Sequence, residues 1–117
     1  MDFHRAFAET IQAFPQLDGI IFVDPDGESI TFEAPGLSNF NIRLAGAKMH
    51  LLVKSFETGT ELPQPGWIEM NLENRWLLYI NLNQDYSLTA VFRNESMRYR
   101  LRRHLFKLAK GFNRDII

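Results

Sequence analysis

Cysteine is absent from the 117 residues, which removes disulfides, thiolate nucleophiles and zinc sites built on cysteine. Glycine is sparse and scattered, at positions 19, 27, 36, 46, 59, 66 and 111. No dinucleotide-binding Gly-x-Gly-x-x-Gly and no phosphate loop closing on Gly-Lys-Ser/Thr can be drawn from that spacing. No serine stands in a Gly-x-Ser-x-Gly elbow. Histidine occurs as His4, His50 and His104, on three different predicted helices without ligand spacing. His104 borders an apolar stripe and is expected to be a hydrogen-bonded boundary residue. Asp24 and Asp26 share a turn, but no further ligands follow at calcium-loop spacing, so a turn-capping role is expected. The longest apolar runs, such as 76–80, are far too short to span a bilayer. The opening Met1-Asp2-Phe3-His4-Arg5 lacks a signal-peptide layout, and a cytoplasmic location is expected. These absences leave no catalytic constellation. The chain is expected to have no enzymatic activity, no catalytic residue, no cofactor and no metal.

What is present suits one globular domain over residues 1–117: 45% hydrophobic and 23% charged residues, enough for one real core. The net charge of −1 hides a segregation. Residues 1–92 carry 5 Lys/Arg against 12 Asp/Glu, and residues 93–117 carry 8 against 2. A basic tail on an acidic body suits a solvated helix face, nucleic acid, an anionic membrane or an acidic partner. Only Tyr99 offers a base-stacking ring among the arginines. The tail is therefore expected to tune the choice of protein partner, with no nucleic acid bound.

Hydrophobic periodicity predicts the order α-β-β-α-β-β-β-α. A helix over 2–14 buries Phe3, Ala6, Phe7, Thr10 and Phe14 and stops at Pro15. Residues 19–23 are apolar at every position, as in a strand covered on both faces. Asp24-Pro25-Asp26-Gly27 turns the chain into a half-exposed edge strand, 28–33, with Ile30 and Phe32 expected to point the same way. Ser38 caps a long helix to about Glu57, which Gly59 ends. After a loop over 60–66 come strands at 67–73, 76–80 and 88–92, then a helix from Asn94 to Phe112. Three strands read as central and two as edges. A sheet apolar on both faces needs helices on both sides.

The middle helix carries two apolar stripes. Ile42, Ala45, Met49, Leu52, Val53 and Phe56 fall on one side, and Phe40, Leu44, Ala47 and Leu51 on the other. The second set is spaced 4, 3, 4, as a helix-on-helix seam requires. Polar residues separate the stripes: Arg43, His50, Lys54 and Glu57 on one flank, Asn41, Lys48 and Ser55 on the other. One stripe covers the sheet. The other is covered by the 58–66 loop or by a partner, the obvious one being the same helix of a second copy. Its burial is worth roughly 4–8 kcal/mol.

The stretch Leu17-Asp18-Gly19-Ile20-Ile21-Phe22-Val23-Asp24-Pro25-Asp26-Gly27-Glu28-Ser29-Ile30 resembles the opening hairpin of roadblock (dynein light-chain superfamily) domains. The small residues Ala45, Gly46 and Ala47, the three-strand meander and the closing helix extend the resemblance over nearly the whole chain. PAS-like and longin-like sheets share the element order. The resemblance implies an α+β, roadblock/profilin-like fold: a five-stranded antiparallel sheet in the order 2-1-5-4-3, the middle helix on one face and two helices on the other. It implies dimerisation through the middle helix and an edge strand, with Phe40, Leu44, Ala47, Leu51, Trp67, Glu69 and Asn71 at the dimer interface. Roadblock proteins bind Ras-like GTPases or serve as motor light chains or polarity-complex subunits. The bacterial mutual gliding protein B type activates a Ras-like GTPase without a catalytic finger of its own. The function implied is a homodimeric regulator or scaffold of a Ras-like GTPase, with Arg43, Lys48, His50 and Lys54 meeting the partner. The alternative is a non-GTPase adaptor, either a motor light chain or a polarity-complex component.

Overall fold

A computed structural model describes residues 2–59 and 61–116. Helix α1 (Phe3–Ala13) begins where the Asp2 carboxylate accepts the Arg5 N–H at 3.0 Å. This satisfies one of the donors a helix start leaves open. Strand β1 (Leu17–Val23) is buried at every position. The following turn closes on Asp24, whose Oδ1 accepts the N–H groups of Asp26 and Glu28 at 2.9 and 3.0 Å. Gly27 takes the left-handed conformation there, with φ +84°. The two aspartates thus include a turn-capping carboxylate, as their spacing predicts.

Strand β2 (Ser29–Glu33) leads to helix α2 (Asn39–Ser55), capped by the Ser38 hydroxyl, which accepts the Asn41 N–H at 3.1 Å. Strands β3 (Trp67–Leu72), β4 (Arg75–Asn81) and β5 (Ser87–Phe92) form the meander, and helix α3 (Arg98–Asp115) closes the chain. The sheet is antiparallel in the order β2-β1-β5-β4-β3. The three apolar runs are its interior strands and the two alternating strands its edges.

Side chains alternate across the interior strands. Ile20 and Phe22 of β1, Leu78 and Ile80 of β4, and Leu88, Ala90 and Phe92 of β5 face α1 and α3, where Phe7, Leu101, Leu105 and Phe112 are fully buried. Ile21, Val23, Leu77, Tyr79 and Val91 face α2 and pack on Ile42, Met49 and Val53. Rings concentrate on the two-helix side: Phe112 lies 4.5 Å from Phe3, 4.9 Å from Phe22 and 5.7 Å from Phe7, centre to centre.

Two local expectations change, and one connection is new. The β1–β2 register slips between Phe22 and Val23, pairing them with Thr31 and Ser29. Ile30, the extra residue of that bulge, borders a hollow with Phe3, Phe22 and Tyr86, while Phe32 packs in the layer under α2. A bulge inserts a residue and breaks the two-residue period, so the two side chains do not share a face. A short 3₁₀ turn over Asn83–Asp85 links β4 to β5, with Gln84 and Asp85 at positive φ. The last helix starts later, at Arg98, after a 3₁₀ turn over Glu95–Met97 that Asn94 caps.

Candidate functional site

Helix α2 lies on the sheet through Ile42, Gly46, Met49 and Val53. Gly46 is the closest approach, since a Cβ there would stand 2.8 Å from Val23 Cγ2. Centring the buried stripe on Gly46 turns the opposite stripe directly outward. Phe40 is 71% exposed, Leu51 68% and Leu44 37%, with Ala47 half-buried between them. The described residues of the 58–66 loop, 58, 59 and 61–66, do not fold over them: Leu62 is itself 65% exposed, and Gln64 hydrogen-bonds Glu57 beyond the helix end. Within the described chain, the seam stays uncovered. Leu52 sits at the border of the buried stripe rather than inside it, at 38% exposure.

The flanks of α2 differ. On one side Arg43 lies over the Phe32 ring at 5.7 Å. His50 is half-buried against Gly27, where a Cβ would meet its ring at 2.9 Å. Lys54 reaches Glu57 at 3.9 Å and Asp85 at 4.0 Å. Beneath it, Tyr79 donates its hydroxyl to Asn81 Oδ1 at 3.2 Å. Burial and then the Asp85 charge push that phenol up to about 12, so it stays a donor. On the other side an open groove of about 410 Å³ runs between α2 and the β3–β4 edge. Leu44, Met49, Leu52, Met70 and Leu72 line it, and Lys48 and Arg75 add positive charge. Of the four basic residues expected to meet a partner, Arg43, His50 and Lys54 therefore share one flank, and Lys48 stands alone across the seam beside the groove.

Strand β3 is the sheet edge on that side. Ile68 and Met70 join the layer under α2, so Trp67, Glu69 and Asn71 alternate to the α3 side. Trp67 packs edge-on to Phe106 at 5.9 Å with the Arg102 guanidinium 4.9 Å from its ring centre. The Glu69 side chain is 8% exposed and pairs with Arg98 and, at 3.6 Å, with Arg102. The Glu69 hydrogen bond raises the Arg98 pKa further above its usual value. Asn71 is exposed. The edge thus offers a partner its backbone, while two of these three side chains are held by α3.

Two charged clusters escaped the sequence reading. One is Glu69 with Arg98 and Arg102. The other is Asp18, 1% exposed, with Arg75 Nε at 3.3 Å and an Arg93 guanidinium nitrogen at 3.0 Å. The sequence signal was an aspartate next to the buried run of β1. A carboxylate is rarely buried without a cation. Among the described residues no group of three or more His, Cys, Asp or Glu is placed to hold a metal ion. No helix there is long and apolar enough to cross a membrane. The site thus combines an apolar ridge, an open strand edge and a groove with a cationic rim.

No family model and no curated protein matches the chain. Solved structures do. A Roadblock/LC7 domain from Streptomyces avermitilis superposes with TM-score 0.78 at 14% identity, over 99% of this chain and 98% of that one. MglB from Myxococcus xanthus gives 0.76 at 11% identity, over 98% and 90%. A structure described as MglB with tetrameric arrangement gives 0.76 at 12%, over 95% and 85%. The chain has the roadblock/LC7 fold, and the strand order 2-1-5-4-3 expected from the hairpin resemblance is the order observed.

Proposed function

We propose that this roadblock-fold chain works in the cytoplasm as a homodimer that binds a Ras-like small GTPase, regulating or localising it without covalent chemistry of its own. The observation that carries the reading is the uncovered seam of α2, with Phe40 and Leu51 more than two-thirds exposed. The seam is suited to a twofold axis. In an antiparallel pair Phe40 of one helix meets Leu51 of the other, with Leu44 and Ala47 at the crossing, where the small alanine lets the backbones approach. A contact on the same side through β3 would satisfy the free backbone groups of the sheet edge.

The GTPase enters through the hairpin resemblance, and the fold neighbours support it to the extent that two are MglB proteins. Beside the seam, Arg43 on one flank and Lys48 with the groove on the other form a broad surface with an apolar centre and a cationic rim. Such a surface changes a partner's hydrolysis rate by holding a switch segment in one of its states. The test mixes the purified protein with Ras-like GTPases of its own genome, loaded with GDP or a non-hydrolysable GTP analogue. A nucleotide-dependent complex is expected. Arg43→Glu with Lys48→Glu should weaken it about tenfold or more while the dimer persists, since two rim charges facing a partner are worth roughly 1 kcal/mol each or slightly more. No complex in either state with any of these GTPases, and no change in hydrolysis, leaves the adaptor reading in its place.

A further inference from the structure

We propose that the outward face of α3 is a docking surface for an anionic lipid bilayer, gripped peripherally by its headgroups. Arg100, Arg103, Lys107, Lys110 and Arg114 are all exposed. Their spacing of 3, 4, 3, 4 puts them within about 80° of arc along about 21 Å of helix. None of the five takes part in an ion pair among the described residues, whereas the tail's other cations do: Arg93 is held by Asp18, and Arg98 and Arg102 by Glu69. Nearby carboxylates are otherwise engaged or turned away. Glu95 lies 3.3 Å from Arg98, Glu9 lies 3.3 Å from Arg5, and Asp115 borders the hollow of Phe3, Ile30 and Tyr86 at the sheet end. The fold therefore uses the inner cations of the tail and leaves one unneutralised row outside.

The shape of that face selects the partner. The row has no apolar centre, which a protein interface of ordinary affinity requires. It suits a ligand held by charge alone, and phosphate-bearing surfaces are the obvious class. A duplex is read by an element that enters a groove about 12 Å wide. Here α3 lies flat beside α1, joined to it by the Thr10–His104 contact at 2.9 Å and the Phe7–Phe112 stack at 5.7 Å. The two helices make a broad, shallow layer that matches a plane. Clusters of four to eight Lys/Arg on a helix face are the charge density that anionic bilayers attract. The face is opposite α2, so a bound membrane leaves the seam, the groove and β3 open. The inference stands without the GTPase reading.

The experiment is co-sedimentation with phosphatidylcholine vesicles, either neutral or carrying about 30 mol% phosphatidylglycerol, at about 100 mM salt. The protein should bind only the anionic vesicles, and more weakly as salt rises. Arg103→Gln with Lys107→Gln should lower the affinity roughly 10- to 30-fold. Asn39→Glu with Thr58→Glu makes the same net-charge change at exposed positions at the start of α2 and just past its end and should leave it within about twofold. If the first pair fails to fold, Lys110→Gln alone should still lose about fivefold. Equal binding to neutral vesicles overturns the proposal, as does an equal loss in both double variants. So does tighter binding to random duplex DNA that strips the protein from the vesicles.

Discussion

Gly46 sits in the middle of α2, where alanine is the better helix former by about 1 kcal/mol. Its surroundings reverse that preference. A Cβ would stand 2.8 Å from Val23 Cγ2 and 3.2 Å from Ile21 Cγ2, and both belong to the buried interior strand β1. Overpacking of that kind costs about 1–3 kcal/mol. Gly46→Ala should therefore lose net stability, by up to about 2 kcal/mol, seen as a lower urea midpoint at unchanged slope. A stabilised variant would mean that α2 lifts off the sheet freely. The sequence marks Gly46 as a small residue between two alanines and no more. Periodicity puts Ala45 on the sheet side and Ala47 on the seam, but that the closest approach falls on Gly46 depends on the helix-to-sheet distance, which periodicity does not contain. Asp18 is similar: it stands inside the legible hairpin stretch, but its partners Arg75 and Arg93 come from two other strands' ends, and no local pattern pairs them.

Long periodic segments were readable because burial imposes their pattern. β1, β4 and β5 are covered on both faces, so their central runs carry mostly apolar side chains on both sides. β2 and β3 are edges and so alternate. The misplacements occur where hydrogen bonding, not burial, decides: the bulge at Ile30 and the capped turn before α3. Between α1 and α3, hydrogen bonding also makes a testable joint. Thr10 donates its only hydroxyl proton to the Ala6 carbonyl at 2.8 Å, so in the 2.9 Å contact His104 Nε2 must carry the proton. Burial first, and the Lys107 charge second, lower the His104 pKa below its usual 6.5. The unfolded chain then binds the second ring proton, the one that charges the imidazole, at a higher pH than the native one does. The contribution is complete above about pH 6.5 and is lost as pH falls from there through the lowered native value. Melting temperatures of the protein and of His104→Gln, whose amide can still donate to Thr10, should converge towards acid and separate towards neutral pH. Parallel curves across that window would show that His104 titrates alike in both states.

Part of the charge segregation of the sequence is a folding device. Arg93, Arg98 and Arg102 of the basic tail pair with Asp18 and Glu69 of the acidic body, which ties the segment leading into the closing helix to β1 and the helix itself to β3. Among the described residues the apolar seam of α2 has no such internal partner, and the second copy proposed to cover it would leave a thermodynamic signature. If folding and pairing are coupled, the melting temperature must rise with protein concentration. Specific unfolding enthalpies make a dimer of two domains this size unfold with about 160 kcal/mol, so each tenfold increase in concentration should raise the midpoint by about 3 °C. Leu51→Glu separates the seam from the rest. The side chain is 68% exposed in the single chain, so the substitution costs the monomer little. In an antiparallel pair it would bury two unpaired carboxylates against Phe40, at several kcal/mol. The variant should sediment as a monomer and melt at a temperature independent of concentration, near the dilute limit of the parent protein. A parent protein that sediments as a monomer at tens of micromolar, with a midpoint equally insensitive to concentration, would leave the seam to another protein altogether.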